Sequence, residues 1–175
     1  MNTPNKLTIL RVALIPVFMI FVLYPITDFA NYFALLIFIL AFLTDALDGY
    51  LARKNGQITN FGKIMDPLAD KLLVTAALVC LSYIGVASPW VTVIILAREF
   101  IVSGIRIAAA AEGEVIAASV WGKLKTVWQF LALSFALFFM EANVIVTAAL
   151  WIAAALTVIS GIDYVVKNVK HLSMN

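Results

Sequence analysis

Four of the ten acidic residues in this 175-residue chain lie within one stretch of 26 positions, as Asp45, Asp48, Asp66 and Asp70. Carboxylates this close together repel one another unless a cation lies between them. Their oxygen atoms suit a hard divalent ion, Mg²⁺ or Mn²⁺, whereas zinc prefers histidine or cysteine ligands. The one histidine of the sequence, His171, lies in the C-terminal tail. The four aspartates therefore predict a site for a divalent metal ion.

Each of two predicted helices carries two of these aspartates on one face, next to small residues. With 100° per residue, the first face spans an arc of about 100° and comprises Asp45, Asp48, Gly49 and Ala52. The second face spans about 80° if its helix begins near Asn60, and comprises Gly62, Asp66 and Asp70. The small residues leave space for a bulky ligand to lie against the backbone.

A purely structural interpretation of the aspartates is also open. Asp45 and Asp48 would then pair with nearby basic residues, and Asp66 would cap a helix that begins at Pro67. The placement of all four carboxylates on two neighbouring faces favours the metal site.

The composition indicates which elements must position these residues. The hydrophobic set makes up 64% of the chain and charged residues 13%, whereas a soluble domain is about 45 to 50% apolar and about 25% charged. The net charge of +2 is too balanced to indicate a nucleic-acid partner. We therefore expect an integral membrane protein that forms a single domain over residues 1–175, with no nucleic acid bound.

A membrane-crossing helix needs about 20 mostly apolar residues. Six apolar runs in the sequence have about this length. They cover residues 7–24, 32–50, 67–86, 89–111, 120–140 and 144–166, and short breaks with turn-forming residues separate them. The predicted fold class is an all-α membrane protein, a bundle of six transmembrane helices.

The basic residues predict the orientation of this bundle. Lys and Arg flank both ends of the sequence and the breaks after the second and fourth runs, while the other three breaks contain neither. Because cytoplasmic loops are enriched in basic residues, both termini and the predicted active-site cavity should lie on the cytoplasmic side. The first run lacks a small-residue cleavage site and is expected to be retained.

The stretch from Asp45 to Asp70 reads Asp-x-x-Asp-Gly-x-x-Ala-Arg, then eight residues, then Gly-x-x-x-Asp-x-x-x-Asp. This pattern resembles the signature of the CDP-alcohol phosphatidyltransferase family at all eight defined positions. The six-run length agrees with that family too, so the resemblance covers essentially the whole chain.

The resemblance implies a role for each position of the motif. Asp45, Asp48 and Asp66 would hold divalent ions, two being expected, with Asp70 as a shared ligand and the general base. The donor would be CDP-diacylglycerol. Its cytidine and diphosphate would bind along Gly49, Ala52, Arg53 and Gly62. The acceptor hydroxyl would attack the phosphorus that bears the diacylglycerol, and CMP would leave.

The remaining cations within the apolar runs indicate the acceptor. Arg98 and Arg106 lie on the fourth run, about 80° apart, and Lys123 and Lys125 lie at the start of the fifth. Cations that face the interior of a membrane bundle favour an anionic ligand, and arginine suits bidentate capture of phosphate. A phosphorylated alcohol is therefore the expected acceptor.

Three further segments resemble the phosphatidylglycerophosphate synthase branch of the family, whose acceptor is sn-glycerol 3-phosphate. They read Pro-Asn-x-Leu-Thr-x-x-Arg at 4–11, Ala-Arg-Glu-Phe at 97–100 and Gly-Lys-Leu-Lys-Thr at 122–126. The resemblance implies that the acceptor phosphate is held by Arg98, Arg106, Lys123 and Lys125, with Arg11 as a further candidate. Asn5 and Thr8 would line the cytoplasmic mouth beside the donor.

Each of these basic residues also has a structural interpretation. Arg98 would pair with the adjacent glutamate or with a motif aspartate, Arg106 would extend to the cytoplasmic interface, and Arg11 would only mark the cytoplasmic side. Lys123 and Lys125 differ by about 200° on a helix, so both cannot face one pocket unless the helix begins late. Lys123 is the preferred ligand of the two.

Several alternatives to this function are open. The acceptor within the same family could be inositol phosphate or phosphatidylglycerol. A membrane prenyltransferase also binds a diphosphate through aspartates, and a small ion or proton carrier also buries carboxylates, but neither explains the Gly and Ala spacing. The expected partners are the two substrates and membrane lipids. The resemblance further implies a homodimer in a bacterial cytoplasmic membrane.

Overall fold

A computed structural model of the chain describes residues 3–24, 26–54, 60–111, 113, 116 and 119–168, and at 3–7, 45–54, 60–68, 70 and 111 it describes the backbone alone. The described residues contain helices and no strand. The helices are α1 (Thr3–Leu23), α2 (Ala30–Lys54), α3 (Asn60–Tyr83), α4 (Pro89–Ala111), α5 (Val120–Phe139) and α6 (Val144–Asn168). The six helices predicted from the apolar runs are thus confirmed as helices.

The largest difference from the predicted bounds concerns α3, which begins at Asn60 rather than at Pro67. The apolar run marks only the part of the helix that is hydrophobic, whereas the first two turns of α3 contain polar residues. Asp66 therefore lies inside the helix, and its interpretation as a helix cap is wrong. A start at Asn60 is also the condition under which Gly62, Asp66 and Asp70 share one face.

Local side-chain chemistry explains the bounds of α5 and α6. Ser119 caps α5, and its Oγ accepts a hydrogen bond from the backbone N–H of Gly122 at 3.1 Å. At the other end Met140 adopts a left-handed conformation with φ of 50°. Asn143 Oδ1 then accepts a hydrogen bond from the N–H of Val146 at 2.9 Å. These contacts satisfy N–H groups that the first turn of a helix leaves without an intrahelical partner.

Small residues and aromatic rings mediate the packing of the helices. α1 packs against α2 and α3, α5 packs against α2 and α6, and α4 packs against α6. Alanines at 0% exposure allow backbones to approach closely, and they include Ala34, Ala77, Ala136 and Ala153. Between α2 and α5 the rings of Phe42 and Phe130 stack with their centroids 4.1 Å apart.

Many large hydrophobic side chains are exposed on the outside of the described bundle. Every helix exposes large hydrophobic side chains, and Phe100 on α4 and Ile162 on α6 are at least 60% exposed. Within the described residues one helix, Val144–Asn168, is long and apolar enough to cross a membrane by length and composition. Shorter apolar helical stretches lie at Thr8–Leu23, Ala30–Thr44 and Lys71–Tyr83. Six membrane crossings therefore stay a prediction.

Candidate active site

The motif residues lie at the adjoining ends of α2 and α3. Because the five residues between Lys54 and Asn60 reach roughly 20 Å at most, both ends lie at the same end of the bundle. The structure describes only the backbone at the eight motif positions, which are Asp45, Asp48, Gly49, Ala52, Arg53, Gly62, Asp66 and Asp70. The contacts of these side chains lie outside the described part, and the metal site stays a prediction. Among the described side chains, no group of three or more His, Cys, Asp or Glu residues comes together.

Lys71 follows Asp70 directly and links α3 to α4. Its Nζ donates a hydrogen bond to Ser103 Oγ, and that hydroxyl donates in turn to the backbone oxygen of Glu99, one turn earlier on α4. This contact holds the end of the motif on α3 beside the turn of α4 that carries Glu99 and Ser103.

Glu99 lies at the centre of a charged cluster between α4 and α5. Its Oε1 accepts a hydrogen bond from Lys125 Nζ and lies 3.5 Å from Arg98 Nη1. The side chains are largely buried, with 4% of Lys125, 13% of Arg98 and 17% of Glu99 exposed. The expected pairing of Arg98 with the adjacent glutamate is thus present. Among the described side chains, this cluster brings two cations to one carboxylate.

A cavity of about 50 Å³ adjoins this cluster. Lys71, Glu99, Lys125 and Gln129 contribute to its polar wall, and phenylalanines of α2 and α5 contribute to its apolar wall. Gln129 is 4% exposed, and its Oε1 has no hydrogen-bond partner among the described residues. A water molecule needs about 10 to 15 Å³ measured in this way, so the cavity has room for water but not for a nucleotide.

Arg98 extends from α4 to α6 past two glycines. Its Nη2 donates a hydrogen bond to Ser160 Oγ at 2.6 Å. A Cβ atom added to Gly161 would lie 3.0 Å from Arg98 Cγ, and one added to Gly122 would lie 3.7 Å from Nη2. The first distance is shorter than ordinary contact, so a side chain at Gly161 would displace the arginine.

Arg106, two turns further along α4, also reaches α6. Its Nε donates a hydrogen bond to Tyr164 Oη at 3.3 Å, and its Cζ lies 5.7 Å from the centre of the tyrosine ring. Tyr164 is 2% exposed and packs with Val102 and Ile105, whereas Arg106 itself is exposed. Its guanidinium is therefore held on one side and accessible on another.

Lys123 and Lys125 face different sides of α5, as their spacing predicts. Lys125 is 3% exposed, whereas Lys123 is exposed. Lys125 belongs to the buried stripe that continues four and eight residues later with Gln129 and Leu133. The placement of the two lysines therefore does not support the preference for Lys123 over Lys125 as the residue that faces the interior.

The N-terminal candidates lie on α1. Thr8 and Arg11 are 1% and 2% exposed, and Asn5 lies in the part of α1 where only the backbone is described. Arg11 is more buried than expected for a residue that only marks the cytoplasmic side. An arginine at that interface ordinarily keeps its head group in water.

Comparison with known proteins gives a family for this arrangement. Residues 1–159 match the family model described as CDP-alcohol phosphatidyltransferase. The chain belongs to this family. Membership sets aside the prenyltransferase and the ion carrier, and it leaves the acceptor alcohol as the main question.

Similar proteins of known name extend over nearly the whole chain. A protein of Bacillus subtilis named CDP-diacylglycerol–glycerol-3-phosphate 3-phosphatidyltransferase is 44% identical, over 95% of this chain and 95% of its own length. A protein of the same name in Haemophilus influenzae is 45% identical, over 93% of this chain and 91% of its own length. Another in Rickettsia bellii is 41% identical, over 93% of this chain and 93% of its own length.

The structure adds residues that sequence reasoning missed in this phosphatidyltransferase. Lys71 and Ser103 connect α3 to α4, and Ser160, Gly161 and Tyr164 contact the two arginines of α4. One signal for Ser160, Gly161 and Tyr164 was present: they lie, together with Asp163, within five residues of a mostly apolar run. Hydroxyls in such runs commonly bond to their own helix, which hides a contact to another helix.

Proposed function

We propose that the chain transfers the phosphatidyl group of CDP-diacylglycerol to sn-glycerol 3-phosphate and forms phosphatidylglycerophosphate and CMP. The observation that carries this proposal is the near full-length similarity, at 41 to 45% identity, to relatives named for this donor and acceptor. The described cations Arg98 and Lys125 support the acceptor, because cations within a membrane bundle favour an anionic ligand.

The proposed setting is a bacterial cytoplasmic membrane crossed six times, with both termini and the active site on the cytoplasmic side. Exposed large hydrophobic side chains on all six helices support contact with lipid along the whole bundle. The basic residues at the ends of the sequence and beside or within the breaks after the second and fourth runs support the orientation. A homodimer is part of the same proposal.

The donor half of the proposed site is the motif on α2 and α3. Asp45, Asp48, Asp66 and Asp70 would bind Mg²⁺ or Mn²⁺, two ions being proposed. Carboxylate oxygens are suitable ligands for these ions, and the helical backbone at all four positions supports two carboxylates on each face. Such ions, when bound, neutralise charge on the attacked phosphate and on the departing one.

The other motif residues would hold the nucleotide and move the proton. Gly49, Ala52, Arg53 and Gly62 would line the cytidine and diphosphate pocket, with Asn5 and Thr8 at its mouth. Asp70 would accept the proton of the acceptor hydroxyl as that oxygen bonds to the phosphorus bearing diacylglycerol. The bond from this phosphorus to the oxygen of CMP breaks at the same step, and CMP leaves.

The acceptor half of the proposed site lies on α4 and α5. Arg98 and Arg106 would bind the phosphate of glycerol 3-phosphate, because guanidinium groups can each donate two parallel hydrogen bonds to phosphate oxygens. Lys125 contributes positive charge from inside the bundle. Lys123 and Arg11 are proposed as further cations for the acceptor.

An acceptor screen tests the proposed function. The purified full chain in mixed micelles with CDP-diacylglycerol and Mg²⁺ is given glycerol 3-phosphate, inositol phosphate, phosphatidylglycerol or no acceptor, and CMP release is measured. We expect release that depends on glycerol 3-phosphate. Release that depends only on one of the other alcohols would show that the acceptor is wrong.

A further inference from the structure

We infer that Ser160 and Tyr164 of α6 are positioning residues for the acceptor, and that their hydroxyls bring Arg98 and Arg106 together at one phosphate. The inference rests on the proposed function, since it takes a phosphorylated alcohol as the acceptor. It concerns groups that contact the arginines rather than the substrate itself.

The spacing of the residues on the two helices supports convergence. Arg98 and Arg106 are eight residues apart, so their Cα atoms are separated by about 12 Å along α4. Their hydrogen-bond partners, Ser160 and Tyr164, are four residues apart, or about 6 Å along α6. Two long side chains that start two turns apart are thus held by residues whose Cα atoms are one turn apart. The inferred convergence of the two guanidinium groups follows from this shorter spacing on α6.

The chemistry of the partners leaves the positive charge available. Ser160 Oγ lies 2.6 Å from Arg98 Nη2, closer than the carboxylate of Glu99, which is 3.5 Å from Nη1. A hydroxyl orients a guanidinium without neutralising it, whereas a carboxylate at short range cancels much of its charge. Both hydroxyl-bearing residues are buried, at 0% for Ser160 and 2% for Tyr164, so they are fixed in place. Neutral partners in fixed positions suit a site that must attract an anion.

Gly161 completes the arrangement around Arg98. The 3.0 Å separation between a Cβ atom at Gly161 and Arg98 Cγ means that α6 carries glycine where the stem of the arginine passes. Ser160 holds the end of the side chain while Gly161 leaves space for its stem. The position of Arg98 is therefore set by two consecutive residues of α6.

The test removes one oxygen atom at a time. Ser160→Ala, Tyr164→Phe and the double variant are purified as full chains, and KM is measured for glycerol 3-phosphate and for CDP-diacylglycerol, together with kcat. A hydrogen bond to a charged group corresponds to roughly a ten- to hundredfold change in binding. We expect each single variant to raise the acceptor KM about tenfold and to leave the donor KM within about twofold of the unmodified chain.

A matched control lies one turn earlier on the same helix. Thr157 is also at 0% exposure, but its hydroxyl donates to the backbone oxygen of Ala153 in its own helix. Thr157→Val removes a buried hydroxyl while it keeps the shape of the side chain, and both KM values should stay unchanged. If Thr157→Val raised the acceptor KM as much as Ser160→Ala does, the effect would reflect general packing of α6 and the inference would be overturned.

A second pair of variants tests the space around Arg98 without removing a hydrogen bond. Gly161→Ala should raise the acceptor KM several-fold, because the added methyl group displaces the arginine stem. Gly104→Ala is the control, since a Cβ atom there meets nothing within 4 Å, and it should leave both KM values unchanged. An unchanged acceptor KM in Gly161→Ala would contradict the role assigned to Gly161.

These measurements separate the inference from the proposed function. If the unmodified chain uses glycerol 3-phosphate but Ser160→Ala and Tyr164→Phe leave its KM unchanged, the inference is wrong and the function stands. If the unmodified chain releases CMP only with another phosphorylated alcohol, the proposed acceptor is wrong. The KM for that alcohol is then compared between the unmodified chain and the two variants. A higher KM in Ser160→Ala and Tyr164→Phe supports the positioning role, and an unchanged KM refutes it.

Discussion

Glu99 and Lys125 form an ion pair inside the bundle, and we predict that removing one charge destabilises the protein more than removing both. In Lys125→Met the carboxylate of Glu99 loses Lys125 and, among the described side chains, keeps the longer contact to Arg98 at 3.5 Å. In Glu99→Gln, both Lys125 and Arg98 lose the carboxylate of Glu99. The double variant Glu99→Gln/Lys125→Met removes both charges of the pair, and Arg98 keeps its hydrogen bond to Ser160.

The burial of the pair sets the expected size of the effect. Only 4% of the Lys125 side chain and 17% of the Glu99 side chain are exposed, so water screens the charges poorly. Breaking a buried pair by removing one partner costs about 3 to 5 kcal/mol, whereas replacing both by neutral groups is often close to neutral. At about 2 to 4 °C per kcal/mol for a chain of this size, each single variant should unfold on the order of 10 °C earlier.

Thermal unfolding of the purified chain in one detergent, followed by tryptophan fluorescence, measures these differences. We expect both single variants to show a lower Tm and the double variant to recover most of the loss. Glu141→Gln is a suitable control, because Glu141 is exposed. The Tm of this variant should equal that of the unmodified chain. The prediction is contradicted if the decrease in Tm of the double variant equals the sum of the decreases in the two single variants. The two residues would then not stabilise each other, and the ion pair would not contribute to the stability of the fold.

Three further predictions concern the proposed reaction. Asp70→Asn should abolish CMP release while it largely preserves binding of CDP-diacylglycerol, measured by equilibrium binding to the purified variant; substantial turnover would exclude Asp70 as the base. Chelation of divalent ions should stop CMP release and re-addition of Mg²⁺ should restore it, whereas full activity in chelator would remove metal from the mechanism. Arg98→Gln should raise the KM for glycerol 3-phosphate far more than that for CDP-diacylglycerol, and the reverse pattern would assign Arg98 to the donor.

The helices were predictable because each apolar run has the length of one helix. α4 begins and ends at the predicted residues, Pro89 and Ala111, since a proline marks its start and charged residues follow its end. The start of α3 was predicted late, because helix formation continues into the polar segment from Asn60 onward. Hydropathy marks the apolar part of a helix, but it does not mark the polar turns that extend beyond it.

The contacts between helices were much less predictable. The spacing of Lys123 and Lys125 shows that they face different sides, but the choice between them depends on the rotation of α5 against α4. The structure supplies that rotation through the contact of Lys125 with Glu99. Ser160 and Tyr164 were missed for the same reason, since their contacts with Arg98 and Arg106 join residues about 60 positions apart. A local pattern can mark such residues as polar groups in an apolar run, but it does not indicate which helix they contact.

The contact between Lys71 and Ser103 shows how the two proposed halves of the site are held in register. The proposed base, Asp70, precedes Lys71 on α3, and Ser103 lies on α4 between Arg98 and Arg106. Glycerol 3-phosphate carries its phosphate and its attacking hydroxyl on one three-carbon chain, so the cations and the base must lie close together. A shift of α3 by one turn, about 5.4 Å, would move the base away from the hydroxyl even with the phosphate bound. The link from Lys71 to Ser103 opposes such a shift, because the ammonium group would lose its hydrogen-bond acceptor in the bundle interior.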